Sequence, residues 1–365
     1  MNPRAWASIN LAALKHNLSV AKAAAPNSKL LAVIKADGYG HGIQAVARAL
    51  GEADGFGVAC LQEAVMLREA GVEQTILLLE GVFSFEELQL VRQYNLSIVV
   101  HQLQQIEWLE QLGEHDNDAI PTWLKLDSGM HRLGFSESAF MVAKERLQRC
   151  GAVSGQITAI SHFANADRPE YPANDQQLSL FNALSADFSQ KSIANSAALL
   201  ALPQSHYDWV RPGIMLFGSS PFVSGCASQY QLRPVMTLKA RLFEIKSLKK
   251  GDAVGYGGCW VCPHEMRIGL VSIGYGDGYP RHAPNGTPVL VGGHLCSLLG
   301  RVSMDMISVD LHNHPDAQCG DQVVLWGEGL AVDEVANAAG TISYELLCGI
   351  TSRVEFAYLD SEQGE

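Results

Sequence analysis

No stretch of the 365-residue sequence approaches the roughly 18 consecutive apolar residues that a membrane-spanning helix requires. The Ala-rich N-terminus does not read as a secretory leader, because Asn10, Lys15 and His16 interrupt it before an apolar core can form. A cytoplasmic location is the expectation. Positive charge is also scarce: 26 Lys and Arg stand against 38 Asp and Glu, a formal net charge of -12. That balance offers no basic stripe for a nucleic-acid backbone, so an anionic small substrate must be captured by a few local cations. Eight cysteines are spread from Cys60 to Cys348, unlike the framework of a small disulfide-bonded domain. Cys259 and Cys262 make a lone Cys-x-x-Cys, a redox or half-zinc pattern with no second pair at finger spacing, and no metal is expected. The G-x-S-x-G elbow of serine hydrolases is missing as well.

What is present is the composition of an ordinary globular protein, 47% hydrophobic and 18% charged, with chain enough for one large domain and one smaller. From Leu30 to about Leu216, short β-branched runs alternate with amphipathic stretches. The runs begin at Leu30, Gly55, Thr75, Ser97, Thr122, Gly155, Ser192 and Trp209. Eight strands separated by helical patterns such as HGIQAVARAL and SESAFMVAKERLQR predict an α/β fold, a (β/α)8 TIM-type barrel over residues 1–230. After Pro221 the texture changes to strands joined by Gly, Pro and Asn turns, with no helix pattern until VDEVANAAG. Residues 231–365 are therefore expected to form a mainly-β domain.

Barrel enzymes carry their reactive groups at the C-terminal ends of the strands. The first strand candidate, LLAVI, ends in Lys35, an amine set against an apolar run and so partly desolvated, which suits it to Schiff-base chemistry. A single lysine at a strand end more often just snorkels to solvent. Here its neighbours argue otherwise, since Tyr39 to Gly42 bring a phenol and a flexible turn to the next helix.

VIKADGYGHG resembles the attachment motif for pyridoxal 5'-phosphate (PLP) in alanine racemases, whose usual form has Asn-Ala where this chain has Asp37-Gly38. The resemblance continues along nearly the whole chain. In KLDSGMHRLG it implies Arg132 as a contact for the substrate carboxylate, and Lys125 as the position carbamylated in many members; a plain ion pair for Lys125 stays an equal alternative. SHFANAD gives His162 and, near the channel mouth, Asp167; NSAA gives Asn195 and Ser196; RPGIMLFG gives Arg211, Gly213 and Ile214. Beyond the barrel, VGYGGCW supplies Tyr256 as the second catalytic base, and SIGYGDGYPR supplies Tyr275 and Arg281. LLGRVSMDM gives Arg301, Ser303 where the family commonly has Cys, Met304 through its amide, and Asp305; TISYE gives Ile342 and Tyr344.

These assignments are chemically coherent. A phosphate needs converging neutral donors, which Ser196, the Gly213 and Ile214 amides, Tyr39 and Tyr344 provide. Arg211 is implied to face the cofactor's ring nitrogen, and a guanidinium that keeps its proton leaves that nitrogen unprotonated. The ring is then a weak electron sink, which favours quick reprotonation over transamination. Inversion needs a base on each face, Lys35 on one and Tyr256 on the other. Tyr256 needs positive charge or hydrogen bonding to act, and His162, held by Arg211, is the candidate support. The resemblance further implies a head-to-tail homodimer with shared sites and a supply of D-alanine for peptidoglycan. A racemase of broader specificity and a non-catalytic PLP-binding protein stay open as alternatives.

Overall fold

The computed structural model describes residues 3–113 and 119–360. The first strand, β1 (Ala5–Asn10), precedes a helix, Leu11–Ala24, capped where the Asn10 side chain accepts the Ala13 amide at 2.9 Å. Eight parallel strands follow: β2 (Lys29–Val33), β3 (Gly55–Val58), β4 (Thr75–Leu78), β5 (Ser97–Val100), β6 (Ile120–Lys125), β7 (Val153–Ile160), β8 (Gln190–Ser192) and β9 (Trp209–Val210). They form one sheet in the order β8-β7-β6-β5-β4-β3-β2-β9. Hydrogen bonds join its two ends, among them the Ser192 hydroxyl donating to Trp209 O at 2.8 Å and the Arg211 amide to Ala194 O at 2.9 Å.

Side-chain alternation divides this barrel into two apolar volumes. Leu31, Leu77, Val99, Trp123, Ile160 and Trp209 pack with one another as a separate buried cluster, the filling of the barrel. The alternate residues, among them Leu30, Ala32, Ile76, Leu78, Ile98 and Val100, pack outward in the larger core with the helices. Strands buried on both faces need the continuous apolar runs seen in the sequence.

Two strand expectations shift in register. The seventh strand ends at Ser192, where the SIAN string had been expected to begin it; SIAN instead forms the exit loop, and Asn195 caps the helix Ser196–Ala201. The eighth keeps only Trp209–Val210, because Pro212 has no amide to donate and Ile214–Phe217 turns into a 3-10 segment.

The second sheet is antiparallel and built around β10 (Met236–Leu248), followed by the short hairpin β11 (Ala253–Val254) and β12 (Trp260–Val261). Then come β13 (Met266–Val271), β14 (Pro288–Val291), β15 (His294–Leu299), β16 (Ile307–Asp310), β17 (Gln322–Trp326) and β18 (Glu355–Leu359). The order β13-β16-β15-β14-β17-β10 closes on itself because β10, 13 residues long, also pairs with β13. Bulges near Leu238 and Leu242 let the same strand serve both neighbours. β1 pairs with β10 and β18, so the start of the chain lies in this second sheet. Helix Val332–Ala339 is the one expected from VDEVANAAG; the short helix Ser343–Cys348 after it had no periodic signal.

Candidate active site

The C-terminal ends of the barrel strands converge as expected. Lys35 follows β2, Lys125 ends β6, His162 follows β7, and Arg211 follows β9. Lys35 opens an unusual turn in which Ala36, Asp37, Gly38 and Tyr39 all take left-handed angles, φ 52 to 63°. For residues with a Cβ this costs on the order of 1–2 kcal/mol each, so the turn must be held from outside. Two side chains hold it. Asp37 accepts the Ile43 amide at 2.8 Å, and His41, fully buried, has Nδ1 at 3.1 Å from Gly38 O and 2.8 Å from Tyr39 O. Burial lowers the His41 pKa to about 4, so the ring is neutral with its proton on Nδ1. Gly38 is the natural occupant of its position: a Cβ there would lie 2.9 Å from Val46 Cγ2.

Four cations meet around His162. Its pKa falls well below the usual imidazole range through burial first and then through Arg211, Lys125, Arg132 and Lys35. Arg211, 4% exposed, donates to the Ser192 hydroxyl at 2.6 Å and to the carbonyls of Ser161 and Ile193 at 2.7 and 3.3 Å. Burial brings its pKa down to about 9, still above neutrality, so it stays a donor. It also lies 3.1 Å from His162 Nδ1. A guanidinium cannot accept, so Nδ1 is the acceptor and the proton of the neutral ring sits on Nε2. His162 can therefore offer support as a hydrogen-bond donor and not as a positive charge of its own.

Lys125 is 9% exposed, and its pKa is lowered to about 8 by burial, Arg211, Arg132 and Lys35, with Asp127 opposing. Among the described residues it makes no ion pair within 4 Å, and Asp127 is the one acid whose charge acts on it. Asp127 is otherwise engaged, its Oδ1 accepting the amides of Gly129, Met130 and His131 at 3.0 to 3.1 Å. That turn carries Arg132 to the rim of a cleft whose other walls include Lys125, Asp127, Ser161 and His162.

A second cluster forms a small neutral cradle beside this cleft. Tyr39 stacks on Phe217 with centroids 4.7 Å apart, and the Tyr344 ring lies 6.0 Å away. A Cβ on Gly213 would come 2.5 Å from the Tyr39 hydroxyl, so glycine alone lets the phenol approach the backbone. Ser196 Oγ accepts the Gly213 amide at 2.8 Å, and Ile214 opens the adjoining 3-10 turn. Asn195 accepts the Ala198 amide at 3.1 Å and so fixes the start of the Ser196 helix. Burial, aided by Tyr344 and Cys348, pushes the Tyr39 phenol far above its ordinary range. Tyr344 is pushed up to about 12 by burial and then by Asp167 and Asp333. Both phenols are therefore neutral donors, as a phosphate requires.

Apart from Tyr344, the β-domain candidates are not seen to join these clusters among the described residues. Tyr256 sits on a 3-10 turn, 70% exposed, with no hydrogen bond or ring contact among the described residues. Arg301 lies beside that turn, 3.4 Å from where a Gly257 Cβ would be, and Arg281 is exposed. Tyr275 and Met304 occupy two loops tied together: the Tyr275 amide donates to Ser303 O at 3.0 Å and the Gly276 amide to Met304 O at 2.9 Å. The loops are braced by a network the sequence did not reveal. Asp277, 1% exposed, faces Arg4 at 3.1 Å and Arg353 at 3.3 Å, and Arg353 also holds Asp305 at 2.6 Å. Ile342, 61% exposed, precedes the Tyr344 helix. Cys348, at the end of that helix, was also missed; it lies within electrostatic range of Lys35 and Tyr39.

Fold and site define a two-domain barrel protein whose mouth combines a lysine amine, a buried guanidinium and a neutral anion cradle. Family models for the alanine racemase N-terminal domain and C-terminal domain match residues 9–221 and 235–358. The alanine racemase of Aeromonas hydrophila is 49% identical over 357 residues, 97% of this chain and 99% of its own length. That of Nitrosococcus oceani is 48% identical over 95% of this chain and 97% of its own. The crystal structure of the biosynthetic alanine racemase from Pseudomonas aeruginosa superposes with a TM-score of 0.95 at 48% identity, covering 98% of this chain and 100% of that one. The chain belongs to the alanine racemase family.

Proposed function

We propose that this protein interconverts L- and D-alanine with PLP, and that the D-alanine it forms feeds peptidoglycan synthesis. The observation that carries the reading is the convergence of Lys35 and a buried, charged Arg211 on His162 and Lys125 at the barrel mouth. When bound, PLP supplies conjugation that acidifies the Cα hydrogen of an attached amino acid. Everything else falls to the chain. Ser196, the Gly213 and Ile214 amides, Tyr39 and Tyr344 hold the phosphate, and Asn195 keeps Ser196 in place. Arg211 would face the ring nitrogen of bound PLP as a donor that keeps its own proton, making the ring a weaker electron sink. Arg132 and the Met304 amide hold the substrate carboxylate.

Lys35 moves the Cα proton on one face and Tyr256 on the other. Because Tyr256 stands exposed, the second base is assigned to the partner subunit of a homodimer. Residues 1–230, with Tyr344 from the second domain, hold the cofactor, and Tyr256, Tyr275 and Met304 of residues 231–365 complete the partner's site. Tyr256, Tyr275, Met304 and Ile342 are each exposed, at 70, 38, 52 and 61%, as residues that a second copy covers would be. Nε2–H of His162 donates to the phenolate of Tyr256 of the partner subunit, lowering the cost of its ionisation. Asp167, Arg281, Arg301, Asp305 and Ile342 line or brace the entry channel. A cytoplasmic setting agrees with the absence, among the described residues, of any helix long and apolar enough to cross a membrane.

The test is D-alanine formation from L-alanine with PLP-loaded protein, alongside a panel of other amino acids. Lysine or arginine turnover equal to that of alanine would favour the broader racemase, and no turnover at all the non-catalytic binder.

Lys125 carries a further prediction. A lysine with pKa about 8 is about one-tenth neutral at pH 7, against less than about one in a thousand for an ordinary lysine. The neutral amine adds carbon dioxide, forming an N–C bond and releasing one proton. Loading with 13C-bicarbonate is expected to give a carbamate resonance that strengthens from pH 7 to 8.5 and is missing in Lys125→Ala. A spectrum identical in that variant would return Lys125 to the role of a bare cation.

A further inference from the structure

Asp333 opens the first turn of helix Val332–Ala339, far in sequence from the barrel, yet it is bonded to the barrel's last segment. Ser219 Oγ donates to Asp333 Oδ1 at 2.5 Å, and the Ser220 amide to Oδ2 at 3.2 Å. Ser219 Oγ is also 2.6 Å from Ser343 Oγ, and both serines are buried, at 0% and 5% exposure. A carboxylate only accepts, and the hydroxyls of both Ser219 and Ser343 lie within hydrogen-bond reach of it, so one charge holds both serines.

What this hydrogen-bond chain connects is specific. Ser219 and Ser220 follow the 3-10 turn Ile214–Phe217, whose entrance is Gly213. Ser343 is the first residue of helix Ser343–Cys348, and the next residue is Tyr344. One half of the neutral cradle hangs from the barrel and the other from a short helix of the second domain. Six residues of helix make too few bonds to hold a side chain in place unaided.

We propose that Asp333 is a positioning residue for the phosphate seat, acting through Ser219 and Ser343 to set the Tyr344 hydroxyl opposite Gly213 and Ile214. The proposal rests on the reading that this cradle takes the phosphate of PLP. An acid in the first turn of a helix is otherwise accounted for by the helix dipole, but a dipole contact needs neither buried serine nor a bond to Ser220.

The test compares binding of PLP and of pyridoxal, which lacks the phosphate, to full-length protein freed of cofactor. Variants Asp333→Asn, Ser343→Ala and Ser343→Thr are each made alone and with Tyr344→Phe, their folding checked by urea midpoint. Asp333→Asn and Ser343→Ala are expected to weaken PLP about tenfold, the size of one hydrogen bond, and to leave pyridoxal unchanged. Ser343→Thr, which keeps the hydroxyl, should restore PLP affinity, and in the Tyr344→Phe background the loss should vanish. Equal weakening of both vitamers, or a full loss persisting without the Tyr344 hydroxyl, would reduce the Asp333 chain to scaffolding. Should Tyr344→Phe alone leave PLP affinity intact, the assignment of Tyr344 to the phosphate fails, and this proposal with it.

Discussion

Lys35→Ala will abolish measurable racemisation while leaving the protein folded. Loss of one positioned proton carrier removes about 10²–10⁴ in rate, and here the same amine is also the assigned point of cofactor attachment, so both functions go at once. The fold should tolerate the change. The left-handed turn after Lys35 is held by Asp37 and His41, and neither touches the lysine side chain. Borohydride reduction of PLP-loaded wild-type protein should fix the cofactor to the peptide containing Lys35, and the variant should give no labelled peptide. A secondary effect follows from the charge cluster: Lys35 is one of three cations that depress Lys125, so its removal should raise the Lys125 pKa above about 8 and reduce carbamate at neutral pH. Retention of more than a tenth of wild-type turnover, or labelling elsewhere, would end the assignment of Lys35.

Local pattern explains how far the sequence could be read. Lys35, Lys125, His162 and Arg211 each stand at or just beyond a run of apolar residues, and parallel strands buried on both faces produce just such runs. Strand limits were less legible at β8 and β9, where hydrogen-bond partners rather than side chains decide where pairing stops. Ser192 closes the barrel through its hydroxyl, and Pro212 ends the last strand two residues after it begins to pair. The placement of β1 in the second sheet was invisible for a related reason: its partners lie at Met236–Ala240 and Glu355–Leu359, and nothing in AWASIN names them.

The site shows the same division. Residue types told which groups could hold phosphate or carboxylate, but charge states depend on company. Nothing in the sequence disclosed the charge state of His162, which four neighbouring cations and burial make neutral, and the Arg211 contact then chooses its tautomer. The left-handed turn was legible at Gly38 only, since Ala36, Asp37 and Tyr39 adopt the same angles without a glycine's freedom. The Ser219, Asp333 and Ser343 chain spans 114 and 124 residues, and each member alone is an unremarkable surface-type residue.

Exposure of Tyr256 leads to the second large effect. Tyr256→Phe removes a hydroxyl with no hydrogen-bond partner among the described residues of its own chain, so PLP affinity and stability should stay near wild type while turnover falls about 10²–10⁴-fold. A structural tyrosine would behave in the reverse way. Mixing this variant with Lys35→Ala under conditions that exchange subunits then locates the two bases. If they meet across a homodimer interface, each mixed dimer holds one site with Lys35 from the Tyr256→Phe chain and Tyr256 from the Lys35→Ala chain. Random pairing of equal amounts makes half the dimers mixed with one of two sites intact, so activity should return to about a quarter of wild type. If both bases came from one chain, every site in the mixture would lack one of them, and the mixture would be no more active than its better parent.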